Sequence, residues 1–326
     1  MMSLNPNLLQ HYLAGNHDDL GPFSETPCLV VNAESVEQYS DGKHQPLPCP
    51  VLGIGPLPEH ASQLCDVIVQ SENELGAMLN NIKLHPMAAT VLVQTLRSVE
   101  QANYEDGLLI ESLAYATLQA GPEYQNWLAE YDQSALTPIK DTGPAVLLER
   151  NNKTLTLQLN RASRRNAISV EMRDALCEAF ELALLDSEIE RISISGKGAC
   201  FSTGGDLEEF GQTPDAVTGH MVRSLRLPGK KLARCAETMK VTAHVHSACI
   251  GAGIELAAFA DTIIAQSDSF FQLPELKFGL IPGAGGCVSL VKRIGRQRAS
   301  EICLSGKKIN AKRALEIGLI DKIQLN

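Results

Sequence analysis

Hydrophobic and polar residues alternate with two different periods along this chain, and the periods predict its strands and helices. Short apolar runs bounded by turn residues predict the strands of a small sheet at 28–31, 51–54 and 67–69. Ser71 and Glu74 then form a capping-box pattern, which predicts a helix start. Pro86 opens a second helix, whose apolar residues recur at helical spacing. Two more helical stretches follow, one before Gly121 and one around Trp127.

The second half of the chain alternates strand patterns with helix patterns. Strands are predicted at 154–159, 192–195, 241–245 and 262–265. Ser169 caps a predicted helix in which Met172, Leu176 and further apolar residues share one face. The segment 220–239 has helical character that is broken near Pro228, so we expect two helices there. Alternation of this kind predicts a layered α/β fold with right-handed crossovers.

Charge divides the chain into two parts. The 326 residues, 44% apolar and 20% charged, are enough for one large domain or two ordinary ones. Residues 1–141 contain 4 Lys and Arg against 18 Asp and Glu, a balance of −14, whereas residues 142–326 contain 24 against 20, a balance of +4. We therefore predict a smaller, mostly helical α/β domain at 1–141 and a second domain at 142–326, joined by a linker at 132–145. The positive half suits a polyanionic ligand, but ordinary solvated surface and attraction between the halves explain the charge as well.

Composition argues against several classes of protein. The chain is acidic and its basic residues are not interleaved with aromatic ones, so we expect no nucleic-acid partner. No apolar run reaches about 18 residues, and residues 1–20 lack the basic start and apolar block of a signal peptide, so we expect no membrane span or secretory leader. Nine cysteines without a CxxC pair argue against a disulfide framework and a zinc site. A reducing cytoplasm is the simplest compartment, and we expect no metal.

Candidate chemistry is concentrated in the segment 248–286, which holds two carboxylates. Glu255 follows the small residues 251–253, so it should lie in the first turn of a helix, where unpaired N–H groups suit developing negative charge. Glu275 follows Pro274, which favours a helix start. A short apolar run between them predicts a buried strand. We expect this helix, strand and loop to bring both acids to one pocket.

Four motifs in this half resemble the crotonase family, the enoyl-CoA hydratases and isomerases. They are RNAIS at 165–169, FSTGGDL at 201–207, GAGIELAAFAD at 251–261 and FQLPELKFGLIPGAGG at 271–286. The resemblance covers roughly 144–325. It implies a spiral of ββα turns, an acyl-CoA thioester as substrate with no separate cofactor, and a homo-oligomer such as a trimer or hexamer.

The resemblance also implies roles for individual residues. Thr203 and Ala252 match the positions whose N–H groups form the oxyanion hole, with Ala252 in place of the usual glycine. Glu255 and Glu275 match the two acids that hold a water over C3 of a trans-2-enoyl thioester and deliver a proton to C2. The positions that match the coenzyme A site are Arg165, Asn166, Ala167, Gly204, Gly205, Asp206 and Leu207. Arg161 and Arg164 are further candidates for its phosphates, while Asp206 more readily braces its own loop.

Alternative interpretations remain open. Retention of both acids favours a hydratase that converts a 2-enoyl-CoA to a 3-hydroxyacyl-CoA. A double-bond isomerase would need one acid, and a non-catalytic acyl-CoA-binding protein would need neither. Each loop alone would pass as a tight turn, and each acid alone as a surface or capping residue. Glu111, Tyr115 and Trp127 could approach a neighbouring active site, but buried packing or surface roles are favoured for them. Structural roles are favoured for His244 and His246.

The chain departs from the family pattern near its end. Members usually continue beyond the position of Ile323 with helices that cover the acyl site and join subunits, and we expect the second domain to lack them. The acidic half contains helices whose apolar faces need burial. We therefore predict that residues 1–141 provide the cover; the alternative is an open site with an altered trimer.

Overall fold

A parallel sheet of three strands forms the first part of the molecule. The computed structural model describes residues 4–37, 39, 45–131 and 141–325. Strands β1, β2 and β3 lie at Leu29–Val31, Val51–Ile54 and Val67–Val69 and are adjacent in that order. Helices α1 and α2 accompany them at Pro6–Leu13 and Glu59–Ser62. The three predicted strands are confirmed, with β1 beginning one residue later than expected.

Four helices follow this sheet. They are α3, α4, α5 and α6, at Gly76–Leu84, Pro86–Val99, Tyr104–Gln119 and Pro122–Glu130. The predicted capping box is confirmed, since the Ser71 N–H donates to Glu74 Oε1 at 2.9 Å before α3. Pro86 and Pro122 begin α4 and α6, where a missing N–H costs no helical hydrogen bond. Of the linker predicted at 132–145, residues 132–140 lie outside the described residues.

A six-stranded sheet forms the centre of the second half. Its strands β4, β5, β6, β7, β9 and β12 lie at Val146–Asn151, Thr154–Leu159, Arg191–Gly196, Lys240–Val245, Thr262–Gln266 and Lys322–Gln324. Their spatial order is β12-β9-β7-β6-β5-β4. All neighbours are parallel except β4 and β5. The four strands predicted in this half are therefore confirmed.

A second sheet and seven helices complete the second half. Strands β8, β10 and β11 lie at Ala248–Ile250, Phe270–Gln272 and Ile309–Asn310, in the order β11-β10-β8. The helices α7 to α13 lie at Val170–Leu185, Ala216–Leu225, Pro228–Thr238, Ala252–Ala257, Gly286–Ile294, Arg296–Ser305 and Ala311–Glu316. The chain repeatedly passes from the large sheet to the small sheet and then to a helix, as in β7, β8, α10 and again in β9, β10, α11. The break predicted near Pro228 separates α8 from α9.

Apolar packing joins the helices of the first half to the second half. Buried residues of α3, α4 and α5 belong to the same hydrophobic cluster as the large sheet and α11. For example, Gly107 of α5 packs closely against Val288 of α11. A hypothetical Cβ on this glycine would lie 3.1 Å from Val288 Cγ2. A separate, smaller cluster lies between α1 and the first sheet. The division at residue 141 stays a prediction, but α3 to α5 share their core with the chain that follows it.

Within the described part of the chain, no helix combines the length and apolar character that a membrane span needs.

Candidate active site

Glu255 lies in the first turn of α10 and its carboxylate is held by backbone donors. The side chain is buried, and Oε2 accepts hydrogen bonds from the Ala284 N–H at 2.7 Å and the Gly286 N–H at 2.8 Å. Burial raises the pKa of Glu255 to about 7, although these backbone donors act in the opposite direction. The predicted helix position is confirmed. The carboxyl group is therefore oriented through Oε2 and titrates near neutral pH.

Glu275 opens a 3₁₀ turn, Glu275–Phe278, on the other side of the glycine loop that precedes α10. Gly251 lies against this acid, and a Cβ placed on the glycine would be 2.7 Å from Glu275 Oε1. Oε2 of Glu275 is shielded from solvent and has no hydrogen-bond partner among the described residues. Burial, and secondly the charge of Glu255, raise the pKa of Glu275 well above its usual range. The structure thus brings the two predicted acids together and favours the neutral form of Glu275.

A third carboxyl group, from the first half of the chain, joins these two. Glu111 of α5 is 1% exposed, and its oxygens accept from the Gly285 N–H at 2.7 Å and the Cys287 N–H at 2.8 Å. The surface role considered for Glu111 is excluded, because the side chain is buried at the α11 N-terminus beside Glu255. The sequence offers no clear signal for this contact, because Leu109 and Leu113 are exposed and the buried face of α5 does not stand out as its apolar face.

Tyr115, one turn after Glu111, covers the loop that leads into α11. A Cβ on Gly283 would lie only 2.2 Å from the tyrosine ring, so this loop is packed against the ring without space for a side chain. The Arg223 guanidinium lies over the Tyr115 ring, with its Cζ 4.5 Å from the ring centroid. The packing role favoured for Tyr115 is therefore confirmed, and this packing places the ring beside the loop whose amides bind Glu255.

A cavity of about 480 Å³ lies next to Tyr115, between the first-half helices and the loop of the FSTGGDL motif. Gly205 and Asp206 line it from that loop, and Arg223 lines it from α8. The cavity therefore lies between the predicted coenzyme A loop and α5.

The two loops predicted to form the oxyanion hole are in contact. Gly204 has a φ of +92°, and a Cβ placed on it would lie 3.5 Å from the Ala252 N atom. The Ala252 N–H begins α10 and has no acceptor among the described residues. The Thr203 N–H donates to the Arg165 carbonyl oxygen at 3.1 Å. Of the two predicted donors, the Ala252 N–H is therefore the one without an acceptor in the described part of the chain.

The remaining residues of the FSTGGDL motif brace their own loop. Asp206 Oδ1 accepts from the Glu208 N–H at 3.0 Å, and Asp206 Oδ2 lies 3.3 Å from the Arg164 guanidinium. This confirms the bracing role expected for Asp206. Leu207 begins the 3₁₀ turn that Asp206 caps, and Arg164 is engaged by Glu208 as well.

The RNAIS motif supports the other wall of this region. Asn166 is fully buried and donates through Nδ2 to two carbonyl oxygens of the 197–200 turn, at 2.9 Å each. Ala167 follows it and is half-buried. Arg161 is buried in an ion pair with Glu171, which leaves it poorly placed for a phosphate. Arg165 is exposed, and no ion pair joins it to another described residue.

Other residues singled out in the sequence have packing or structural roles. Trp127 stacks with Tyr131 at 4.8 Å between ring centroids and packs against Phe278 at the same distance, so its expected packing role is confirmed. His246 Nε2 lies 3.0 Å from the Gly198 carbonyl oxygen, in agreement with a structural role. His244 is exposed on β7.

The similarity of this chain to known proteins lies in its second half. The sequence model described as enoyl-CoA hydratase/isomerase matches residues 149–325. A 2,3-dehydroadipyl-CoA hydratase of Escherichia coli is 33% identical over 178 residues, which cover 55% of this chain and 68% of the relative. A trans-2-decenoyl-[acyl-carrier-protein] isomerase of Streptococcus mutans is 31% identical over 180 residues, with coverages of 55% and 68%.

Solved structures show the same likeness. An enoyl-CoA hydratase of Mycobacterium smegmatis superposes with a TM-score of 0.52 and 28% identity, covering 56% of this chain and 71% of that one. A structure of an enoyl-CoA hydratase from Thermoplasma volcanium gives a TM-score of 0.50 and 34% identity, covering 56% and 72%.

Proposed function

The chain belongs to the enoyl-CoA hydratase/isomerase family, with the crotonase-like fold expected for its second half, and from this premise we propose that it hydrates a trans-2-enoyl-CoA to a 3-hydroxyacyl-CoA. The observation that carries this proposal is the buried pair Glu255 and Glu275, whose pKa values are both raised by burial. An acyl-CoA thioester is consistent with the family.

In the proposed reaction the two acids have different tasks. Glu255 is oriented through Oε2, so Oε1 is the atom that holds the attacking water and accepts its proton. Glu275 is kept neutral by burial and by the charge of Glu255, which suits delivery of a proton to C2. Such a concerted use of two carboxyl groups needs one ionised and one protonated group at working pH.

Negative charge that develops on the thioester oxygen requires hydrogen-bond donors. The free Ala252 N–H at the start of α10 is the first donor that we assign to it. Thr203 is the second, and its N–H turns from the Arg165 carbonyl oxygen to the thioester oxygen when substrate binds. We further assign a coenzyme A phosphate to Arg165, because its guanidinium is exposed and no ion pair holds it among the described residues.

A double-bond isomerase is the second candidate. It is favoured by one observation: Oε2 of Glu255 already accepts two backbone donors, whereas Oε2 of Glu275 has no partner in the described structure. A single mobile acid at Glu275 would suffice to move a proton between C2 and C4 of an enoyl thioester.

Loss of the conjugated-thioester absorbance of crotonyl-CoA tests the proposal. We expect enzyme-dependent loss that falls by at least about 100-fold in Glu255→Gln and in Glu275→Gln. An isomerase would instead act on a 3-enoyl-CoA and lose most activity only in Glu275→Gln. Unchanged crotonyl-CoA with the wild-type protein, together with measurable binding of acyl-CoA, would contradict hydration.

A further inference from the structure

Four successive backbone amides at the start of α11 are shared between two carboxylates from different halves of the chain. Glu255 accepts from Ala284 and Gly286, and Glu111 accepts from Gly285 and Cys287. The donors alternate because successive N–H groups of this turn point to opposite sides. Each carboxylate therefore stabilises the turn whose remaining amides bind the other carboxylate.

The fit at this turn is close on both sides. A Cβ on Gly286 would lie 2.5 Å from Glu255 Cγ, and Gly285 has a φ of +103°, which an L side chain rarely adopts. A turn of this kind has little freedom of its own once its amides are bound. Movement of the Gly285 or Cys287 amide would displace the Ala284 and Gly286 amides that orient Glu255.

We propose that Glu111 is a positioning residue of the active site, which fixes the α11 turn that orients Glu255 and adds a third carboxyl group to the acid pair. The inference rests on the proposed function for its kinetic consequences, but the contact itself is independent of the reaction. It makes α5, which precedes the family-matched segment 149–325, a structural part of the site.

The electrostatic effect depends on all groups that face Glu111. Within the described part of the chain, Glu255, Glu275, Arg223, Cys287 and Cys303 interact with it electrostatically, and Tyr115 lies one turn further along α5. Burial, and secondly the charge of Glu255, raise the pKa of Glu111, while its two backbone donors and Arg223 oppose this. Glu111 in turn contributes to the raised pKa of Glu275. The three acids titrate as a coupled group, so removal of one lets the others ionise at lower pH.

Glu111→Gln separates this role from that of a simple helix cap. The variant removes one mutually repelling acid and leaves one of the two amides without an acceptor. We expect the alkaline limb of the pH profile of kcat/KM, on which Glu275 loses its proton, to move to lower pH. We also expect kcat to fall about tenfold while KM changes less than about threefold. A cap without influence on the acids would lower thermal stability and leave the pH profile unchanged.

Glu105→Gln is the matched control, because it makes the same chemical change on the same helix, near the start of α5 and away from Glu111. Its side chain is 76% exposed and lies 3.9 Å from Lys230 Nζ, remote from the three acids. We expect wild-type kinetics and pH dependence. A profile for Glu111→Gln that coincides with those of the control and the wild type would overturn the inference.

Two further measurements cover the remaining cases. Amide hydrogen exchange of a peptide spanning 284–287 should be faster in Glu111→Gln than in the control, and equal exchange would contradict the contact even if the protein had no hydratase activity.

If Glu111→Gln does not fold, Glu111→Asp replaces it, since it keeps the charge but shortens the reach. A lowered kcat with a wild-type pH profile would support positioning, and an unchanged kcat would overturn it. Absence of enoyl-CoA turnover in the wild type with the exchange difference intact would reject only the proposed function.

Discussion

Two glycines beside the acids, Gly251 and Gly286, leave room for the carboxyl groups of Glu275 and Glu255. A Cβ on Gly251 would lie 2.7 Å from Glu275 Oε1, and one on Gly286 would lie 2.7 Å from Glu255 Oε2. Gly251 also has a φ of +49°, so the backbone turns there into α10 in a conformation that favours glycine. Small residues in this loop are thus needed to bring the acids and the Ala252 N–H together.

Ala252→Pro removes the proposed oxyanion donor and little else. Proline is favoured at the first position of a helix, and the preceding Gly251 has the mirror-image extended conformation that glycine tolerates before proline. We expect kcat to fall by on the order of 10²–10³. Ala216→Pro, at the first position of α8 after the capping residue Asp215, is the control and should keep near wild-type activity. Steady-state kinetics with crotonyl-CoA measures both, and equal activity of the two variants would reject Ala252 as a donor.

The sequence predicts the residues of the site only where they lie in one local motif. Glu255 and Glu275 are bracketed by small residues and a proline, so their local structure follows from nearby chain. Glu111 carries no such signal, because its contact to Gly285 and Cys287 arises from the packing of α5 on α11. The role of a buried acid depends on which distant backbone donors meet it.

At the scale of elements, strands and helices with a clear period are predicted well. β5 alternates polar and apolar residues and was predicted with its observed bounds, Thr154–Leu159. The small sheet was not predicted, because β8, β10 and β11 have only two or three residues each and show no period. β11 also pairs antiparallel with β10 from a distant part of the chain, which a local pattern does not specify.

One buried carboxylate, Asp66, connects elements of both halves. It precedes β3 with no exposure, accepts from the Val51 N–H at 2.8 Å, and pairs with Arg97 of α4 and with Arg296 of α12. The first sheet is thus tied to helices on both sides of the predicted boundary. A buried ion pair that loses one partner leaves a buried charge without compensation.

Asp66→Asn should therefore be strongly destabilising. The change leaves the buried Arg296 guanidinium and the partly buried Arg97 guanidinium without their shared carboxylate, and we expect the free energy of unfolding to fall by about 3 kcal/mol. Asp186→Asn, which weakens the exposed pair with Arg150, should cost less than about 1 kcal/mol. Urea unfolding of both variants measures the difference. Similar midpoints for the two would mean that the network at Asp66 contributes no more than a surface pair.

At the scale of the whole molecule, apolar packing does not follow the charge boundary. The acidic residues of the first half marked 1–141 as a unit, but the buried faces of α3, α4 and α5 lie against the second half. Hydrogen bonds also cross the charge boundary: Asn81 of α3 donates to the Leu304 carbonyl oxygen of α12 at 2.9 Å. Charge composition reports on the surface, whereas the extent of a core depends on packing that the composition does not reveal.

Deletion of residues 1–141 tests whether the first half is the cover of the acyl site. The deletion would expose the apolar residues that α4 and α5 bury on α11, including Val288, and would free the Gly285 and Cys287 amides from Glu111. We expect the remainder, 142–326, to aggregate or to lack enoyl-CoA activity, because large exposed apolar surfaces promote association. Coexpression of 1–141 as a separate chain should restore solubility, since the packing needs no covalent link. A folded, monodisperse and active 142–326 would show that the second half completes its own site, and the cover would then have to come from elsewhere.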